Sequence, residues 1–194
     1  MDPFDQIELH TPRLRLRPLI PGDAEAVFAV FSDPEVMRYW SWSAWTSVDA
    51  AHALIRDDRE AMAAGKHLRL GLEVRGTPGV IGMCTLFSLM VQCRRAEIGY
   101  ALARAHWGRG YMHEALTALL AYAFGELDLN RLEADIDPRN AASARSLERL
   151  GFVREGFMRE RWIVGDEVAD TVFYGLLRRE WAANPDANRT ERQS

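Results

Sequence analysis

The sequence has little cysteine: two residues in 194, Cys84 and Cys93. They lie too far apart for a Cys-x-x-Cys motif. That argues against a disulfide scaffold and points to a reducing compartment, the cytoplasm by default. The five histidines, at 10, 52, 67, 106 and 113, show no metal-ligand spacing, so no metal is expected. No apolar run approaches the ~20 residues that a membrane-spanning helix needs. The opening Met1-Asp2-Pro3-Phe4-Asp5 lacks the basic and apolar regions of a signal peptide. No membrane partner is expected. Positive charge is not in excess either: the formal net charge is -4, which argues against a nucleic-acid partner. The remaining balance, 48% hydrophobic and 27% charged, is that of a globular protein whose length suits one domain.

Two common phosphate-binding motifs are also missing. The chain has no G-x-x-x-x-G-K-[ST] loop and no G-x-G-x-x-G fingerprint. What it has is Ala105-His106-Trp107-Gly108-Arg109-Gly110-Tyr111-Met112-His113-Glu114, between a strand pattern and a helix pattern. Glycine there permits positive φ and close ligand approach. A helix opening at that point presents unpaired N–H groups, an arrangement suited to a pyrophosphate. The same glycines also suit a plain tight turn, and spacing does not choose between the two.

Hydrophobic periodicity organises the rest. A strand over 13–19 leads through Pro21-Gly22-Asp23 into a helix that Asp33-Pro34 ends. An irregular aromatic stretch follows over 35–46. Ser47 caps a second helix, which Gly65 stops. Strands at 67–75 and 79–90 form a hairpin, and 94–103 makes a further strand. The glycine-led helix covers 110–125, a strand 131–137, and a short helix 140–150. Strands at 152–160 and 167–177 close the chain as a hairpin around Gly165-Asp166. The order predicts one α/β domain over 10–181, with a mixed, mostly antiparallel central sheet flanked by helices. Residues 182–194 are expected to be a disordered polar tail.

Several segments, in this order, resemble the GNAT superfamily of acyl-CoA-dependent N-acyltransferases, and within it the RimJ/RimL branch. They are Thr11-Pro12-Arg13-Leu14-Arg15-Leu16-Arg17, Glu97-Ile98-Gly99-Tyr100, and Trp107-Gly108-Arg109-Gly110-Tyr111 with Glu114-Ala115. They continue with Asn140-Ala141-Ala142-Ser143, Leu147 to Phe152, and Tyr174 to Trp181. The sequence departs from the general superfamily loop, with Trp107 at its first position and Met112 at its last.

The resemblance implies acetyl-CoA as co-substrate and splayed central strands. It implies that the pyrophosphate meets the N–H groups of Arg109, Gly110, Tyr111, Met112, His113 and Glu114. The pantetheine arm would pair with the strand at Ala101, Leu102 and Ala103, with help from Asn140. Asn140 could equally be only a helix cap. The N–H of Leu102 is the expected oxyanion donor. The superfamily often has a tyrosine on the short helix as acid for the thiolate, but Leu147 stands there. Ser143 is the substitute the branch implies, unless it is only a helix-surface or capping serine. Glu97 is the candidate base, acting through water, unless it is solvated or paired with Arg94 or Arg95.

Asp170 and Glu160 are alternatives for binding the amine. Arg38, Tyr39, Trp40, Trp42 and Trp45 wall the acceptor site in this family, or else pack beneath the helices. The expected reaction is direct attack of a primary amine on the thioester, with a protein N-terminus as first acceptor. A polyamine or aminoglycoside-like amine is the second, and a non-catalytic acyl-CoA-binding module the rival. The resemblance is compatible with a monomer or a homodimer.

Overall fold

The computed structural model describes residues 3–184. One eight-stranded sheet runs through it, in the order β1-β2-β3-β4-β5-β6-β8-β7. The strands are β1 (Leu9–His10), β2 (Leu14–Arg17), β3 (Leu68–Val74), β4 (Val80–Met90), β5 (Arg95–Leu102), β6 (Arg131–Ile136), β7 (Val153–Val164) and β8 (Glu167–Leu177). The helices are α1 (Ala24–Phe31), α2 (Pro34–Met37), α3 (Asp49–Ala63), α4 (Tyr111–Gly125), α5 (Ala141–Arg149) and α6 (Arg178–Ala182). All neighbouring strands are antiparallel except β5 and β6. That parallel pair is joined by the crossover helix α4, since no tight turn can link parallel strands.

Each face of the sheet carries its own core. On one face Leu116, Leu119, Leu120 and Ala123 of α4 and Leu147 of α5 pack on Ala96, Ile98, Leu102, Leu132 and Ala134. On the other, Val27, Val30, Phe31 of α1 and Ala51, Ile55 of α3 pack on Val80, Met83 and Ala101. Fully burying each large side chain contributes about 1.5–3 kcal/mol, so both helix layers are firmly held against the strands.

The element order matches the sequence reading, with local additions. Pro34 does more than follow α1. It opens α2, and the Asp33 carboxylate caps that helix by accepting the Glu35 N–H at 3.0 Å. Ser47 Oγ accepts the Asp49 N–H at 3.2 Å, the capping role expected of it, although α3 itself begins at Asp49. Strand β7 extends to Val164, beyond the expected end at 160, and carries a bulge between Met158 and Trp162. From residue 185 onward the expected polar tail lies outside the described residues. Among the described residues, no helix is long and apolar enough to cross a membrane, and no cluster of three or more His, Cys, Asp and Glu could hold a metal ion.

Candidate active site

Two left-handed glycines shape the junction between β5 and α4. Gly108 has φ 71° and Gly110, the N-cap of α4, has φ 78°. A residue with a Cβ pays about 1 kcal/mol or more for that conformation. Among the described residues, the N–H groups of Gly108, Arg109, Gly110, Tyr111 and Met112 have no protein acceptor. A Cβ built on Gly108 would meet nothing within 4 Å, so the loop faces open space. These N–H groups fit an anionic ligand. The Glu114 N–H is withdrawn from that cradle, because it already donates to Gly110 O at 3.1 Å. Met112 packs against the α4–α5 core, so its bulk is directed away from the cradle. His113 is partly buried in the first turn of α4.

The Glu114 side chain has a different role. It accepts hydrogen bonds from Thr11 Oγ1 (2.6 Å), the Arg13 N–H (2.8 Å) and Arg13 Nε (2.6 Å). Arg13 also donates through Nη1 to Arg109 O at 2.9 Å, and its guanidinium lies 4.8 Å from the Tyr111 ring centroid. Burial acts to raise the Glu114 carboxyl, but Thr11 and Arg13 together hold it below its ordinary range. The segment before β2 is thus tied to both sides of the glycine loop. Sequence reasoning missed Thr11 and Arg13 because alternation along 11–17 marks only which residues face the core.

The strands open beside this loop. β5 and β6 pair only at Arg95↔Arg131, Ala96↔Leu132 and Glu97↔Glu133, and then part. On its other side β5 stays paired with β4 out to Gly82↔Leu102. Ala103 N donates to Ile81 O at 2.8 Å. Antiparallel alternation then directs the amides of Ala101 and Ala103 towards β4, and those of Ile98, Tyr100 and Leu102 into the gap. Of the three residues expected to meet an extended arm, only Leu102 therefore offers its N–H there. Its carbonyl is already taken by Trp107 Nε1 at 2.7 Å.

Helix α5 forms the opposite lip of the gap. Asn140 caps it, its Oδ1 accepting the Ser143 N–H at 3.0 Å. Ser143 Oγ lies 2.6 Å from Tyr100 Oη, a contact that joins α5 to β5. Burial pushes the Tyr100 phenol up to about 12, against the lowering effect of the Ser143 hydrogen bond. Tyr100 was not singled out from sequence. Leu147 is fully buried in the core and supplies no donor. Of the two thiols, Cys93 is exposed, while Cys84, opposite Tyr100 on the neighbouring strand β4, is buried and pushed up to about 12 by that burial.

Glu97 projects from the other face of β5, the face of α1 and α3, at the last paired position before the strands part. Its expected arginine neighbours are engaged elsewhere. Arg94 pairs with Asp128 at 2.7 Å, and Arg95 with Glu133. On β6, Glu133 is also held by Arg131, and Asp135 by Arg161. Of the three carboxylates on this face of β5 and β6, Glu97 alone has no ion pair or hydrogen bond among the described residues. Asp170 is placed differently. Alternation along β8 sets it on the face of Val172 and Tyr174, and it accepts the Glu160 N–H at 2.8 Å.

The aromatic stretch divides in two. Trp40 and Trp45 pack around Phe31, with ring centroids 5.2 and 4.7 Å away. Trp42 meets Trp40 edge-on, with ring centroids 4.7 Å apart, and stays 38% exposed. Arg38 and Arg139 lie on the ring of Tyr39, 5.4 and 5.7 Å from its centroid. Arg139 belongs to the turn before α5, so Tyr39 links the aromatic loop to the lip of the gap.

Comparison with known proteins points the same way. The family model described as an acetyltransferase (GNAT) domain matches residues 13–153. The uncharacterized N-acetyltransferase p20 of Bacillus licheniformis is 37% identical over 174 residues, covering 90% of this chain and 98% of p20. YdaF of Bacillus subtilis strain 168, a candidate ribosomal N-acetyltransferase, is 33% identical over 172 residues, covering 87% and 93%. The crystal structure of a GNAT-family acetyltransferase from Bacillus anthracis superposes with a TM-score of 0.80 at 26% identity, covering 90% of this chain and all of the other.

Proposed function

We propose that this chain, which belongs to the GNAT acetyltransferase family, transfers an acetyl group from acetyl-CoA to the α-amine of a protein N-terminus. The working unit is the segment 10–181, and its general activity is that of an N-acetyltransferase of the RimJ/RimL-like branch. The finer reading concerns the acceptor and the residues that act on it.

The N–H groups of Arg109 to Met112 hold the pyrophosphate, and the open amides of β5 bind the pantetheine arm. Glu97 then takes the proton that the attacking nitrogen gives up, through water, as the C–N bond forms. The Leu102 N–H faces the gap and stabilises the oxyanion. As the C–S bond breaks, its electron pair goes to sulfur, where the Ser143 hydroxyl donates a hydrogen bond. Acetyl-CoA supplies the activated acyl group when bound, and no acyl-enzyme is required.

One observation supports the choice of acceptor: the carboxylate of Glu97, unpartnered among the described residues. The neighbouring acids Glu133 and Asp135 are already neutralised by arginines. A polyamine would bring several ammonium groups to a wall with one uncompensated carboxylate beside β5. A protein N-terminus brings one amine and a peptide, which the exposed Trp42 and the ring of Tyr39 can flank.

The test is a thiol-release assay with acetyl-CoA against a peptide with a free N-terminus, the same peptide Nα-blocked, spermidine and an aminoglycoside. Turnover of the free peptide alone is expected. Preferential turnover of spermidine or the aminoglycoside overturns the acceptor assignment. A saturable thermal shift with CoA but no turnover of any amine overturns catalysis in favour of a binding module.

A further inference from the structure

We propose that Tyr100 is a positioning residue for the leaving thiolate: its phenol donates to Ser143 Oγ and so turns the serine proton towards the sulfur. This rests on the reading of Ser143 as the donor to sulfur.

The argument starts from the two lips of the gap. Tyr100 stands on β5 and Ser143 in the first turn of α5, and their hydroxyl oxygens are 2.6 Å apart. Either hydroxyl could donate by geometry alone. Chemistry decides: the phenol is the more acidic hydroxyl and so the stronger donor, the serine oxygen is the better acceptor, and the proton of a phenol held between β5 and α5 needs an acceptor. The other acceptor within reach is Ser143 O at 3.5 Å, the limit of a useful hydrogen bond. Ser143 Oγ therefore receives the phenolic proton.

A serine hydroxyl has one proton and two lone pairs. With Tyr100 on a lone pair, the serine proton is directed elsewhere. Helical serines often donate back to a carbonyl one turn earlier. Ser146 on the same helix does so, to Ala142 O at 3.0 Å. Ser143 instead spends its Oγ on Tyr100 across the gap, where its proton can face the sulfur of an extended arm.

An isolated serine is a weak donor to a developing thiolate. A second donor polarises it, because hydrogen bonds in a chain strengthen one another in a low-dielectric site. No net proton needs to pass along the pair. The C–S electron pair settles on sulfur, the nitrogen's proton goes to Glu97, and solvent protonates the thiolate after release. Tyr100 thereby supplies from the strand the phenol that α5, with Leu147 buried, does not carry.

The test compares Tyr100→Phe, Ser143→Ala and the double variant with the wild type. The readouts are kcat and KM for acetyl-CoA, and thermal-shift affinities for CoA and desulfo-CoA. Tyr100→Phe keeps the buried ring and should fold. It is expected to lower kcat about tenfold with KM little changed, and to add nothing in the Ser143→Ala background. The wild type should prefer CoA over desulfo-CoA, and both single variants should lose that preference. Unchanged kcat in Tyr100→Phe, or losses that simply add, overturn the inference while leaving Ser143 in place. Unchanged kcat in Ser143→Ala overturns the serine reading itself. If no amine is turned over, the CoA preference still decides, and its absence in the wild type, or its survival in Tyr100→Phe, overturns the pairing.

Discussion

Arg13 Nε and Glu114 Oε2 meet at 2.6 Å across 101 residues of sequence. Glu114 is the more buried partner, with 16% of its side chain exposed against 47% for Arg13. The pair clamps the start of α4 from outside, so the shape of the glycine loop depends on a segment that contributes nothing else to it. Replacing Arg13 with alanine frees Arg109 O and Glu114 Oε2, while Thr11 and the backbone N–H of residue 13 still hold Oε1. The KM for acetyl-CoA should rise severalfold while kcat changes little. The complementary Glu114→Ala leaves the Arg13 N–H without its acceptor and the Thr11 hydroxyl with the longer contact to Leu14 O at 3.2 Å. That should cost about 1–3 kcal/mol, seen as a fall of a few degrees in Tm.

The same carboxylate gives the fold an acid sensitivity. Its ordinary value is 4.5, and Thr11 and Arg13 hold it lower in the folded state. A depressed carboxyl stabilises the fold fully above the unfolded value and loses that contribution as pH falls through the folded one. The Tm advantage of wild type over Glu114→Gln should hold at neutral pH and shrink below about pH 4. A constant difference across that range would show that the clamp works through packing and not through charge.

Glu97→Gln keeps the size and position of the side chain and removes its basicity. Because Glu97 has no partner among the described residues, the fold should tolerate the change, with Tm altered by little. The turnover rate should fall by about a hundredfold, and the thermal shift given by CoA should be unchanged. A variant with wild-type turnover would assign the proton to another group.

Gly108→Ala separates folding from ligand binding. The positive φ costs about 1 kcal/mol, yet no atom stands within 4 Å of the added methyl. Stability should drop slightly, while CoA affinity drops more than tenfold because the methyl occupies the cradle. Equal losses in both measurements would mean that the loop changes shape when the glycine is lost.

Much of this arrangement was legible in the sequence because it is local. The paired glycines announce a left-handed turn, and alternation in β5 and β6 tells which residues face each core. The order of elements then places Asn140 beside the gap. What was not legible depends on contacts distant in sequence. Whether Arg94 and Arg95 compensate Glu97 is decided by Asp128 and by Glu133 on β6, and neither is visible from the run Arg94 to Glu97. Tyr100 enters the sequence reading only within the run Glu97 to Tyr100, with no role of its own, since its partner lies 43 residues away. One signal was available: alternation sets Tyr100 with Ile98 and Leu102, so its hydroxyl had to find a partner among the helices on that side. Asn140 had two readings from sequence, and its bond to the Ser143 N–H realises the capping one.

The early parting of β5 and β6 has a consequence for how such a protein diversifies. On the proposed reading, a ladder left open after three residue pairs would recognise an amide-bearing arm by its backbone alone, indifferent to what that arm carries at its tip. Selectivity for the acyl group must then be set by side chains beyond Leu102. The grip on the carrier and the choice of cargo occupy different residues, so one can be altered by mutation while the other is inherited intact.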